Sequence, residues 1–151
     1  MINKNIHKIF TALSFLIPLV IYILTMAPTT SFWDCGEYIA TSRILGVPHP
    51  PGSPLYLLLG NVFSNLPIFQ DIGARVNLIS PIASAFSVMF LYLIIVYLIE
   101  EYRGKTKSLS DIMITYCSAF IGALTFAVTD SHWFNAVEAE VYSVSTFFTA
   151  I

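Results

Sequence analysis

The sequence predicts an all-α membrane protein, a multi-span helical bundle, and three observations carry that prediction. The composition is 56% hydrophobic and only 11% charged, with a mean hydropathy of +0.76, which lies outside the range of soluble globular chains. Apolar runs recur along the chain at about the 17–25 residues a helix needs to cross the hydrocarbon core. The basic residues fall unequally on the two sides that those runs define. The expected architecture, over residues 1–151, is the N-terminal part of one transmembrane domain. It has three complete spans, the start of a fourth, and a short interfacial helix inside a long loop at 27–78.

The first span is read at 9–26, after Lys4, His7 and Lys8, and contains no charge. A cleaved signal peptide is the rival reading, since a charged start and an apolar run suit both. Pro28 spoils the small-residue cleavage site, and the run exceeds the ~7–15 residues of a signal core, so a retained helix is favoured. The second span is read at 79–99, with Pro81 in its first turn, where a missing N–H has no intrahelical partner to lose. The third is read at 112–128. A fourth begins near 137 and runs through Phe147, Phe148, Thr149, Ala150 and Ile151 without a cap or charge, which reads as a piece of a longer multi-span protein.

Of the seven basic residues, Lys4, Lys8, Arg103, Lys105 and Lys107 lie on one side of these spans, and Arg43 and Arg75 on the other. The basic side is normally cytoplasmic. The loops at 27–78 and 129–137 are then extracytoplasmic, and Trp33 and Trp133 sit where aromatic belts sit. The net charge of −2 and the absence of a basic stripe give nucleic acid no footprint. Cys35 and Cys117 have neither metal-ligand nor disulfide spacing, and Cys117 falls within an apolar run, so no bridge between them is expected.

Inside the long loop, Ser53 and Pro54 read as the N-cap and first position of a helix over 55–66. At ~1.5 Å per residue that helix is roughly 18 Å long, too short to span, and is expected to lie in the interface. Pro48, Pro50, Pro51 and Pro54 are expected to hold the preceding chain extended. Asp34 and Glu37, at i and i+3, would share a helix face. The alternative is a pair of acids favouring a helix dipole. His49 is either a member of the same site or a residue that caps its proline-rich turn. Glu138 and Glu140 point apart on a helix and can converge only if that stretch is a loop or a fraying helix start. Otherwise they cap the fourth span. Arg75, beside Asn77, is an interfacial anchor or a phosphate ligand.

The strings FWDCGEYIAT, GVPHPPGSPLYLLLG, ARVNLIS and AVEAEVYS occur in this order from Phe32 onward. They resemble a membrane domain family, once of unknown function and common in Bacteroidetes, that is related to the eukaryotic transmembrane protein O-mannosyltransferases. The likeness extends over nearly the whole chain from Thr25. It implies the GT-C class of multi-span glycosyltransferases, which use polyprenyl-phosphate-linked sugars. It therefore implies transfer of mannose or a similar sugar to a protein Ser/Thr hydroxyl, by an inverting reaction outside the cytoplasm, in a bacterial inner membrane with the site facing the periplasm. By the same resemblance Asp34 is the catalytic aspartate, with Glu37 beside it. Glu138 and Glu140 are the acidic pair of a second outer loop. Such a reaction needs its departing phosphate steadied, and His49, if protonated, and Arg75, through bidentate contacts, are the candidate substrate contacts for that. A divalent cation on Glu138 and Glu140 is the one cofactor the pattern offers. A transporter subunit and a non-catalytic membrane scaffold are the alternatives. The first lacks mid-span charges, and the second gives no reason for PHPPGSP beside a pair of acids.

Overall fold

The computed structural model describes residues 2–104 and 108–151, the side chains of residues 2–4 excepted. Among these residues the chain forms eight helices and no strand: α1 (Ile2–Thr25), α2 (Cys35–Ile44), α3 (Pro54–Asn65), α4 (Ile72–Asn77), α5 (Ile79–Arg103), α6 (Leu109–Ala127), α7 (Asp130–Ala136) and α8 (Val141–Ala150). Three helical stretches are long and apolar enough to cross a membrane: Asn5–Thr25, Ile72–Arg103 and Leu109–Ala127. The all-helical, three-span expectation therefore holds.

Hydroxyls within the first span bond back to the helix's own carbonyls, as a hydrocarbon environment demands. In α1, Thr11 Oγ1 donates to the His7 carbonyl at 2.9 Å, and Ser14 Oγ to the Thr11 carbonyl at 2.8 Å. The start of α6 is set by a capping box. The Asp111 N–H donates to Ser108 Oγ at 3.1 Å, and the Ser108 N–H reaches back to Asp111 Oδ2 at 3.4 Å. That box places the helix start at Leu109, ahead of the expected 112. Lys105 and Lys107, which carry part of the charge bias, lie outside the described residues.

α5 is the hub, packed by α1 on one side and by α6 and α8 elsewhere. The face of α6 against it buries Tyr116, Ala119, Ala123 and Ala127 at helical spacing. Small residues let two backbones approach, which is how membrane helices gain dispersion contact without a hydrophobic drive between them. At one end of the bundle the Tyr22 hydroxyl donates to the Ala127 carbonyl at 2.7 Å. At the same end the Ala27 N–H donates to the Val137 carbonyl at 2.8 Å. The two long connections of the chain thus meet over one end of the bundle.

The interfacial helix opens as expected, with Ser53 at its N-cap and Pro54 at its first position, though the Ser53 side chain makes no capping bond. Three other features differ from expectation. The proline-rich stretch is not extended throughout. Residues 49–52 form a turn closed by the Gly52 N–H on the His49 carbonyl at 3.0 Å, with a cis Pro50–Pro51 bond and Gly52 at φ 79. The connection after the third span contains a helix, α7, where a loop was expected. The last helix starts at Val141, after an irregular 137–140, and its ten residues are short of a span.

α2, α3 and α4 pack on one another as a shelf over the end of the bundle. Their shared core includes Cys35, Tyr38, Ile39, Tyr56, Leu57 and Val76. Burying an Ile or Leu side chain of this kind contributes about 1.5–3 kcal/mol relative to leaving it in water. Asn77, fully buried, ties the shelf down: its Nδ2 donates to the Ala27 and Thr29 carbonyls at 2.8 and 2.9 Å.

Candidate active site

Phe32 and Trp33 turn the chain from the end of α1 into α2. Trp33 has φ 56 and is 85% exposed. A non-glycine residue in this left-handed region costs about 1–2 kcal/mol, so the turn is held by its surroundings. Asp34 follows at the N-cap of α2, but its side chain makes no capping bond. The carboxylate is therefore free for something other than the helix.

One turn on, Glu37 accepts two hydrogen bonds from the proline-rich turn. The His49 N–H lies 2.8 Å from Glu37 Oε1, and His49 Nδ1 lies 2.7 Å from Glu37 Oε2. His49 Nε2 is also 3.9 Å from Asp34 Oδ2. The imidazole thus bridges both acids, all on the exposed surface. The hydrogen bond that the His49 ring donates to the Glu37 carboxylate holds the His49 pKa above its ordinary value. The same bond, with the one from the His49 backbone, holds the Glu37 carboxyl below the usual range.

The second acidic loop comes up beside the first. Residues 137–140 are irregular, the one condition under which Glu138 and Glu140 converge. Glu138 is 2% exposed, and its Oε1 has no hydrogen-bond partner among the described residues. Glu140 is 7% exposed, and its backbone N–H points to Ser80 Oγ at 3.5 Å. Burial, then the Glu138 and Asp34 charges, push the Glu140 carboxyl up to about 7. Between the loops sits Cys35, the first residue of α2, whose thiol donates to Asn77 Oδ1 at 3.6 Å. It also contacts the backbone of Ala139, and burial raises its pKa. Both cysteines are free.

The structure therefore gathers Asp34, Glu37, His49, Glu138 and Glu140 at one end of the bundle. Arg75 is placed otherwise. Its guanidinium is engaged by main-chain carbonyls, with Nε on Phe69 at 2.6 Å, Nη1 on Ser64 at 3.1 Å and Nη2 on Gln70 at 3.3 Å. It clamps the loop between α3 and α4. Residues that sequence reasoning missed are Ser80 and Tyr38, and Asn77 was noticed without a role. A polar residue set in an apolar run was the only available signal for Ser80 and Asn77. Ligand atoms of Asp34, Glu37 and His49 lie within 4.8 Å of one another and could hold a metal ion. That grouping is not the Glu138–Glu140 pair on which a cation was expected.

These features define a helical membrane protein with a carboxylate-lined site at the mouth of its bundle. Residues 34–151 match the family described as Protein O-mannosyl-transferase TMEM260 N-terminal domain, and the chain belongs to that family. The match begins on Asp34 itself. Protein O-mannosyl-transferase tmem260 of Dictyostelium discoideum is 26% identical over 134 residues, covering 87% of this chain and 15% of that protein. Protein O-mannosyl-transferase TMEM260 of Mus musculus is 27% identical over 131 residues, covering 87% of this chain and 17% of that protein. The chain thus spans less than a fifth of either relative. No solved structure matches.

Proposed function

We propose that the chain builds the active site of a membrane glycosyltransferase. The enzyme moves mannose or a close relative from a polyprenyl-phosphate donor to a protein Ser/Thr hydroxyl, by single-step inverting displacement. The observation that carries this reading is the meeting of the two acidic loops: Glu140 titrates in the field of Asp34 and His49, which belong to the other loop. The names of the two relatives support the reaction class. An apolar groove of about 290 Å³ between α3, α5 and α8, lined by Leu59, Phe63, Ile82, Phe86, Phe147 and neighbours, supports a donor with a hydrocarbon tail.

Asp34 takes the proton of the acceptor hydroxyl as its oxygen attacks the anomeric carbon. The bond from that carbon to the phosphate oxygen breaks, and the phosphate leaves with the electron pair, needing little acid assistance. A hydroxyl is a poor nucleophile while protonated, so the base is the group the reaction needs most. His49, kept cationic by Glu37, faces the departing phosphate. With the Arg75 guanidinium engaged by carbonyls, anion contact falls to His49 and Arg75 keeps a structural role. Glu138 and Glu140 hold sugar or acceptor hydroxyls. Glu140, close to half-protonated near neutral pH, both donates and accepts. Were a divalent ion held by Asp34, Glu37 and His49, His49 would have to be neutral, and the ion would replace the imidazolium as the source of charge neutralisation. The charge bias supports an acid end outside the cytoplasm, and the motif spelling supports a bacterial inner membrane with the site facing the periplasm.

The test is sugar transfer from a polyprenyl-phosphate donor to a peptide, comparing wild type with Asp34→Asn at matched protein level. Loss of a general base should lower the rate by ~10²–10⁴ while donor binding persists. Transfer within about threefold of wild type would show that Asp34 is not the base.

A further inference from the structure

α3 is apolar on more of its circumference than its packing in the shelf requires. Tyr56, Leu57, Gly60 and Ser64 form its buried face. On a second face stand Leu58, Val62 and Leu55, which fall within ~60° of one another at 3.6 residues per turn. Each of the three is more than half exposed. Leu59 and Phe63 continue that face over the next ~80°. They form one wall of the apolar groove whose other walls are Ile79, Ile82 and Phe86 of α5 and Phe147 of α8. A helix that sits on a protein in water buries one apolar stripe and turns polar residues outward. Here the outward stripe is apolar too, and it runs without a break into the groove.

The groove also sets the depth. The uncharged run of α5 extends from Ile79 to the residue before Glu100, roughly 30 Å of helix and so about the thickness of the hydrocarbon core. Ile79 then marks one edge of that core, and Phe86, about two turns on, lies ~10 Å inside it. α3 flanks this part of α5, at the depth to which interfacial helices bury their apolar faces. The polar groups of α3 collect on the other margin of its exposed face. Asn61 Nδ2 donates to the Ser42 and Arg43 carbonyls at 3.0 and 3.2 Å, and Asn65 Oδ1 accepts from Arg43 Nη1. That contact takes one of the five donors of an exposed guanidinium, a group suited to phosphate oxygens. Asp34, Glu37, Glu138 and Glu140 at the same end disfavour a lipid of net negative charge, so the matching headgroup is zwitterionic. We propose that α3 is embedded in the leaflet at the acid-site end, with Leu55, Leu58 and Val62 among the acyl chains and Arg43 on the phosphate of a zwitterionic phospholipid. This contact does not depend on the acid site transferring a sugar.

The experiment places a nitroxide on Leu58→Cys, with Cys35→Ser and Cys117→Ser, in the full-length protein reconstituted into phosphatidylcholine vesicles. Its spin relaxation is measured with oxygen, which partitions into hydrocarbon, and with a nickel chelate, which stays in water. Oxygen should relax the label more than nickel does. Arg43→Glu, which sets a carboxylate against the phosphate, should lower the oxygen-to-nickel ratio. Should Leu58→Cys fail to accumulate, Val62→Cys carries the same expectation. Relaxation mainly by nickel would put the face in water. Access to neither reagent would mean that another part of the protein covers it. Either result overturns the proposal, and a ratio unmoved by Arg43→Glu overturns the phosphate contact.

Discussion

Glu37 and His49 shift each other in opposite directions, and the sign of the pH dependence follows. His49 has its pKa raised by the Glu37 bond, so its contribution is full below the ordinary histidine value and is lost as pH rises through the raised one. Glu37 has its pKa lowered, so its contribution is present above the ordinary carboxylate value and is lost as pH falls through the lowered one. The pair is intact between those limits. The turn it pins should therefore loosen on the alkaline side first, through His49. An NMR titration of the His49 ring should show a pKa above that of a free histidine, and Glu37→Gln should bring it down. A His49 value unmoved by that substitution would mean the contact does not form in solution. Glu140 has a different cause for its shift: burial dominates, with the Glu138 and Asp34 charges adding to it.

α2 and α3 pack tightly where Gly60 meets Ser42. A Cβ built on Gly60 would fall 2.7 Å from Ser42 Cβ and nearer still to Ser42 Oγ. Overpacking of this kind typically costs ~1–3 kcal/mol. Gly60→Ala should lower the Tm of the detergent-solubilised protein, and adding Ser42→Gly should recover part of the loss. An unchanged Tm in the single variant would show that the shelf can slide apart freely. Elements of this kind also show what the sequence could and could not disclose. The spans were legible because length and hydropathy decide them. The convergence of Glu138 and Glu140 was legible only as a condition, since their i, i+2 spacing works in a loop and fails in a helix. α7 was missed because its seven residues are too few for a period to emerge from Asp130, Ser131 and His132. The role of Arg75 was hidden for another reason. Its partners are main-chain carbonyls, which every residue carries, so no side-chain pattern announces them.

For the whole molecule the open prediction is sidedness. With the acid end extracytoplasmic, a cysteine placed at Val47, 88% exposed, should react with a membrane-impermeant thiol reagent on intact cells. One placed at Tyr102, 93% exposed at the other end of α5, should react only after the membrane is opened. The opposite labelling pattern would invert the topology and remove the site from the face where a lipid-linked donor is proposed to meet it. The two acidic loops are joined across the mouth of the bundle by the Ala27 N–H on the Val137 carbonyl, a bond that uses no side chain. Such a tie is indifferent to mutational drift, because nearly any amino acid at either position supplies the same donor or acceptor. A proline at 27 is the exception, since it lacks the N–H. About three-quarters of the aligned residues differ between this chain and the relatives it matches. A main-chain joint of this kind allows that much turnover in letters while the loops stay at a constant separation.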